Sequence, residues 1–117
     1  MPQFIIAQKE NGKYYFSFVM DNERLLLEGK EYVTRQCCMN AILSSKLSAK
    51  ISSRFEKGTS ADGRSYYVLK ASNGRDIVTS RMFESKAERD DDIALVSDTA
   101  PASKIIDLTL AERSFKN

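Results

Sequence analysis

Tyr66-Tyr67-Val68-Leu69-Lys70-Ala71-Ser72-Asn73-Gly74-Arg75-Asp76-Ile77-Val78-Thr79-Ser80 is the stretch that decides the fold. Two strand-like runs, residues 66–71 and 75–80, flank Asn73-Gly74. Asn-Gly is the strongest short hairpin signal, because a type I′ turn needs φ > 0 at both central residues. With those two as the loop, Ser72 faces Arg75, Ala71 faces Asp76, Leu69 faces Val78 and Tyr67 faces Ser80. One face of the hairpin then gathers Tyr67, Leu69 and Val78.

The same pattern stands 51 residues earlier: Gly12 to Ser45 matches Gly63 to Val96 without a gap, and the same offset pairs Phe4 with Phe55. Identities are Gly12/Gly63, Tyr15/Tyr66, Asn22/Asn73, Arg24/Arg75 and Ile42/Ile93. Conservative pairs such as Phe16/Tyr67, Phe18/Leu69, Leu27/Val78 and Tyr32/Phe83 join them. Carrying the register across puts Phe16, Phe18, Met20, Leu25 and Leu27 on one face, with Ser17 and Glu28 on the other. A one-residue slip would turn every side chain over, so two different residue sets building the same apolar face support both repeat and register. In the first copy the loop is Asn22-Glu23, and Glu23 must take a conformation that glycine takes more easily.

A helix follows each hairpin. Ser85-Lys86-Ala87-Glu88 is a capping box, and Thr34 is the equivalent cap in the first copy. Cys38, Ala41, Ile42 and Ser45 fall at helical spacing, as do Ile93 and Val96. Phe4–Ala7 and Arg54–Lys57 each supply a leading strand, and Leu47–Ser53 links the copies. The expectation is an α+β fold: two tandem βββα repeats sharing an antiparallel sheet, helices on one face. We expect one domain, with repeats at residues 3–48 and 54–101 and a C-terminal tail at 102–117. In the tail, Thr99–Ser103 reads as a linker and Lys104–Leu110 as an extra strand, with Asp107 capping a short helix to Phe115 as the alternative.

Composition excludes several classes. The 117 residues, 42% hydrophobic and 29% charged, are those of an ordinary globular domain. Eighteen Lys plus Arg stand against sixteen Asp plus Glu, interspersed along the chain. No long-range field for nucleic acid or an anionic membrane is expected from that balance. Phe4–Ala7 is too short for a signal peptide or a spanning helix. The adjacent Cys37 and Cys38 cannot bridge comfortably, so reduced thiols and a cytoplasmic protein are expected.

The second copy resembles the YegP-like family. The residues that carry the resemblance are Tyr67–Gly74, Ile77–Ser80, Phe83, Ser85-Lys86-Ala87, Ile93–Val96 and Ala100-Pro101. The likeness spans residues 55–101 and is looser over residues 4–48. It implies three strands and one helix per unit and dimerisation through shared sheets, and it implies no chemistry. One departure is that the family pattern has Gly just before the helical Ile, where this chain has Asp92, and Ala41 in the first copy.

Candidate chemistry is sparse. Histidine, the commonest general base and metal ligand, is absent. A thiol pair at a helix N-terminus is one candidate site, but packing of Cys38 on the apolar helix face explains it. Asp90-Asp91-Asp92 invites a metal, yet consecutive helical residues diverge by about 100° and a solvated face is expected. The Asn-Gly and Asp-Gly pairs are turn chemistry rather than phosphate loops. Tyr14, Tyr15, Phe16, Phe18, Tyr66 and Tyr67, with Lys70, Arg75 and Arg81, offer a stacking platform for nucleic acid, though half of them belong to the core face.

These readings lead to a non-enzymatic structural or interaction module with no catalytic residue, cofactor or metal. Val19, Leu26, Val68 and Ile77 fall on the second face of the hairpins and are the expected interaction surface. The expected partner is a second copy or another protein, with weak nucleic-acid binding as the alternative and no membrane.

Overall fold

A computed structural model of the chain describes residues 1–110. The first unit runs β1 (Gln3–Gln8), β2 (Tyr14–Val19), β3 (Leu25–Gly29) and α1 (Arg35–Ser48). The second runs β4 (Phe55–Thr59), β5 (Ser65–Lys70), β6 (Asp76–Thr79) and α2 (Lys86–Thr99), and β7 (Lys104–Asp107) follows it. β2 and β5, like α1 and α2, correspond residue for residue at the offset of 51. Among the described residues seven strands form one sheet in the order β4-β5-β6-β3-β2-β1-β7. It is antiparallel except at β7, which lies parallel to β1 and was not foreseen in that orientation.

The hairpins are built on a different turn from the expected one. Among the described non-glycine residues only Glu23 has positive φ, so Asn73 does not, and a type I′ turn is excluded. Instead the Ala71 amide donates to the Arg75 carbonyl at 2.9 Å and Gly74 donates to the Ala71 carbonyl at 3.0 Å. This is a three-residue loop with a G1 bulge, in which Gly74 alone (φ 83°) enters the left-handed region. Asn73 tips the balance, since its Oδ1 accepts from the Arg75 amide at 3.0 Å. The device recurs with Asn11 and Lys13, Asn22 and Arg24, and Asp62 and Arg64.

The turn slips the register by one, and a second bulge restores it. Lys70 faces Asp76, but Leu69 faces Val78, which leaves Ile77 as the extra residue. In the first unit Val19 faces Leu25 and Phe18 faces Leu27, with Leu26 extra. Mid-strand, the expected pairing of Leu69 with Val78 therefore holds. Near the turn the assignments change: Leu25 lies exposed opposite Val19, while Leu26 and Ile77 enter the core.

One hydrophobic cluster runs through both units. Phe4 stacks on Phe18 with centroids 4.3 Å apart, and Tyr67 stacks on Phe83 at 6.3 Å. Each such ring contributes roughly 1.5–3 kcal/mol by burial. Both helices cover this face. The Thr34 hydroxyl caps α1 at the Cys37 amide, and Ser85 caps α2 at the Glu88 amide, each at 3.1 Å. Among the described residues the Glu88 carboxylate makes no return bond, so only half of the capping box forms. α1 also reaches β5 and β6 of the second unit.

The units meet where β3 pairs with β6 through Glu28/Thr79 and Gly29/Val78. Glu28 and Thr79 are themselves repeat mates, so a local twofold passes between them, perpendicular to the sheet. Gly29 is required at this seam, because a Cβ there would fall 2.4 Å from the Phe16 ring.

The tail divides between the two readings made of it. α2 continues through Thr99 and a 3-10 turn takes Ala100–Ala102, where a linker was expected. The strand ends at Asp107, whose Oδ1 accepts from the Thr109 amide at 2.9 Å as the backbone turns helical at residues 108–110. The expected helix end at Phe115 lies outside the described residues.

Candidate functional site

Two places gather chemistry that the core does not use: the sheet face opposite the helices, and a polar junction beneath α2. Alternation along each strand settles who occupies the bare face. Phe4, Ile6, Phe16 and Phe18 point to the helices, so Ile5, Ala7, Tyr15, Ser17 and Val19 point away. Ile106 pairs with Ile5, Leu25 with Val19, and Val68 with Thr79 on that same face. Among the described residues no element covers it.

Of the four residues assigned to this surface from sequence, Val19 lies on it and Val68 turns towards it but is buried by its neighbours, 9% exposed. Leu26 (1% exposed) and Ile77 (5%) do not, because each is the extra residue of a bulge and packs in the core cluster. Ile5, Leu25 and Ile106 were missed. Strand alternation would have found Ile5, whereas Leu25 depended on the bulge. Most of the apolar area therefore belongs to the first unit and β7, with Val68 and Tyr66 in the second.

Lys70 and Lys9 are paired, whereas Glu28, opposite Ser17 and Thr79 on this face, is exposed and its carboxylate has no ion pair or hydrogen bond among the described residues. Lys70 lies 3.4 Å from Glu56 and 3.1 Å from Asp76. Lys9 sits 5.2 Å over the Tyr15 ring but bonds Glu31 at 2.9 Å. Of the aromatics considered for stacking, Phe16, Phe18 and Tyr67 are core residues, and only the repeat mates Tyr15 and Tyr66 face outward.

Beneath α2, the Tyr67 hydroxyl donates to Asp92 Oδ2 at 2.7 Å. Asp92 is buried, its Oδ1 accepts no hydrogen bond, and the Arg24 guanidinium stands 3.7 Å from that oxygen. Burial, together with the Asp92 carboxylate, pushes the Tyr67 hydroxyl far above the ordinary tyrosine value, so it stays protonated as a donor. Arg24 comes from the β2–β3 turn, so the junction spans both units. The repeat mates of Tyr67 and Asp92 are Phe16 and Ala41, so the second unit carries a hydroxyl and a carboxylate where the first carries apolar groups.

The solvated face expected of Asp90-Asp91-Asp92 thus holds for Asp90 and Asp91 but not for Asp92. Asp90 turns to Lys57 at 3.2 Å and to Arg89 at 3.1 Å, so the three carboxylates diverge. Among the described residues no group of three or more His, Cys, Asp or Glu could hold a metal ion. Cys38 is buried, and burial, with the Asp107 charge adding to it, pushes its thiol up to about 11. Cys37 is exposed in the first turn of α1. Among the described residues no helix is long and apolar enough to cross a membrane.

The architecture defines a tandem α+β repeat protein with one helix-covered and one bare sheet face. The chain belongs to the family described as Domain of unknown function (DUF1508), whose model matches twice, over residues 10–56 and 60–107. Relatives include a UPF0339 protein of Bordetella pertussis, 28% identical over 111 residues, covering 95% of this chain and 100% of that one. Another, from Shewanella oneidensis, is 30% identical over 104 residues, covering 89% and 94%. A solution NMR structure of a UPF0339 protein from Shewanella oneidensis matches with a TM-score of 0.85 and 28% identity, over 92% of this chain and 91% of that one. The solution structure of yegP from E. coli, a protein of unknown function, matches at 0.83 and 23% identity over 92% of each chain, which shows the shared fold.

Proposed function

We propose that the protein is a non-enzymatic interaction module that self-associates through its bare sheet face. The observation that carries this reading is the apolar set Ile5, Val19, Leu25 and Ile106 on a face that no described element covers. Seven strands at about 4.8 Å and some five residues at about 3.3 Å make a face of roughly 29 by 17 Å. Two such faces in contact bury about 1,000 Å², the lower bound for a specific interface. Association is therefore weak and concentration-dependent. The free cysteines support a reducing compartment, the cytoplasm.

Sedimentation equilibrium between about 10 μM and 1 mM tests the reading. A rising apparent mass, lost in Val19→Lys and Ile106→Lys, is the expected result. A strict monomer across that range sinks it.

A further inference from the structure

The two units correspond in every element but one. The outer edge of β1 carries β7, whereas among the described residues nothing pairs with the outer edge of β4. In the first unit, Ile105 stands beside Phe4, and Asp107 stands beside Ile6, bonded by the guanidinium of Arg35, the first residue of α1. The second unit repeats the receiving side. Phe55 stands where Phe4 does, and Lys86, the first residue of α2, stands where Arg35 does. Among the described residues the Lys86 side chain makes no ion pair or hydrogen bond.

The backbone is also set. Ser60 donates to the Arg64 carbonyl, and antiparallel pairs alternate, so Phe55, Lys57 and Thr59 turn their N–H and C=O groups outward. We propose that the outer edge of β4 takes up an extended peptide from another molecule, running parallel to β4 as β7 runs beside β1.

The edge dictates the peptide's chemistry. An apolar residue belongs beside Phe55, a basic one beside Glu56 and an acidic one beside Lys57, within reach of Lys86. The existing pairs Lys57–Asp90 and Glu56–Lys70 are surface pairs and yield at little cost. β7 and β4 stand at opposite edges of the sheet, six strand spacings or about 29 Å apart, so a strand beside β4 is not a continuation of β7. A second copy related by a twofold would pair antiparallel, with like charges opposed in the registers centred on Glu56 or Lys57, and would not reproduce the parallel run of β7 beside β1.

The test is an NMR titration of the 15N-labelled full chain with the capped pentapeptide Asp-Ile-Lys-Asp-Leu. Saturable shifts at the Phe55, Lys57 and Thr59 amides, half-complete near or below about 1 mM, are expected. Lys57→Pro deletes one outward donor while leaving the β5 ladder intact, and should weaken binding about fivefold beyond Lys57→Ala. Lys86→Glu should weaken it about threefold. Equal binding by Lys57→Pro and Lys57→Ala, or by a peptide with its charges reversed, overturns the proposal. So do shifts confined to the bare face at Ile5 and Val19, or none at the β4 amides at several millimolar. The self-association reading stands or falls separately, by sedimentation without peptide.

Discussion

Glu23 occupies the left-handed position of the β2–β3 turn at φ 65°, where Gly12, Gly63 and Gly74 serve the other tight turns. A side chain there is strained by about 1 kcal/mol or more, partly offset because glycine loosens the unfolded chain. Glu23→Gly is therefore expected to stabilise the protein by about 0.5–1 kcal/mol, read as a shift in urea midpoint at unchanged m-value. The Tyr67–Asp92 pair gives a second outcome. Tyr67→Phe removes the one hydrogen bond that Asp92 accepts, and should cost about 1–3 kcal/mol. Adding Asp92→Ala recreates the Phe16/Ala41 arrangement of the first unit, so the double variant should be more stable than Tyr67→Phe alone. A double variant no more stable than Tyr67→Phe would contradict this. Asp92 was legible in the sequence only by contrast. Likeness between the copies reveals the fold, and the contrast of Phe16/Ala41 with Tyr67/Asp92 reveals where the two copies differ.

For the strands and helices, legibility followed whatever constrained the chain. Mid-strand register was readable because Phe16, Phe18, Leu69 and Val78 must face one core. Turn type was not, since Asn-Gly suits both a two-residue turn and a three-residue loop with a bulge. The choice fell to side-chain acceptors such as Asn73 Oδ1, and it decided the fate of Leu25, Leu26 and Ile77. The parallel docking of β7 had no local signal at all, because it rests on Asp107 meeting Arg35 across 72 residues. Burial pushes the Asp107 carboxyl up, but hydrogen bonds from Thr109 and Arg35 outweigh it and hold the group below the ordinary aspartate value. A depressed folded value means that the stabilisation is complete above the unfolded value of about 3.9 and is lost as pH falls through the lower folded one. Hydrogen exchange at the β7 amides should accelerate there relative to the β2 amides, and Asp107→Asn should abolish that pH dependence.

The two units depend on each other. Each exposes an unpaired strand edge when separated, α1 rests partly on β5 and β6, and half of 117 residues is marginal for an independent core. A fragment of residues 1–53 should give an unfolded circular dichroism spectrum, and a cooperative melt from it would contradict the single-domain reading. The halves are joined through only two strand pairs at the seam, so the shared core carries the coupling. Force would find a different route through the molecule. The segments before β1 and after β7 leave the same sheet edge from opposite ends of two parallel strands. Tension between them loads the four β1–β7 pairs together, in shear, while the seam between the units stays unloaded. Under such a pull the Arg35–Asp107 pairing would act as a mechanical clamp.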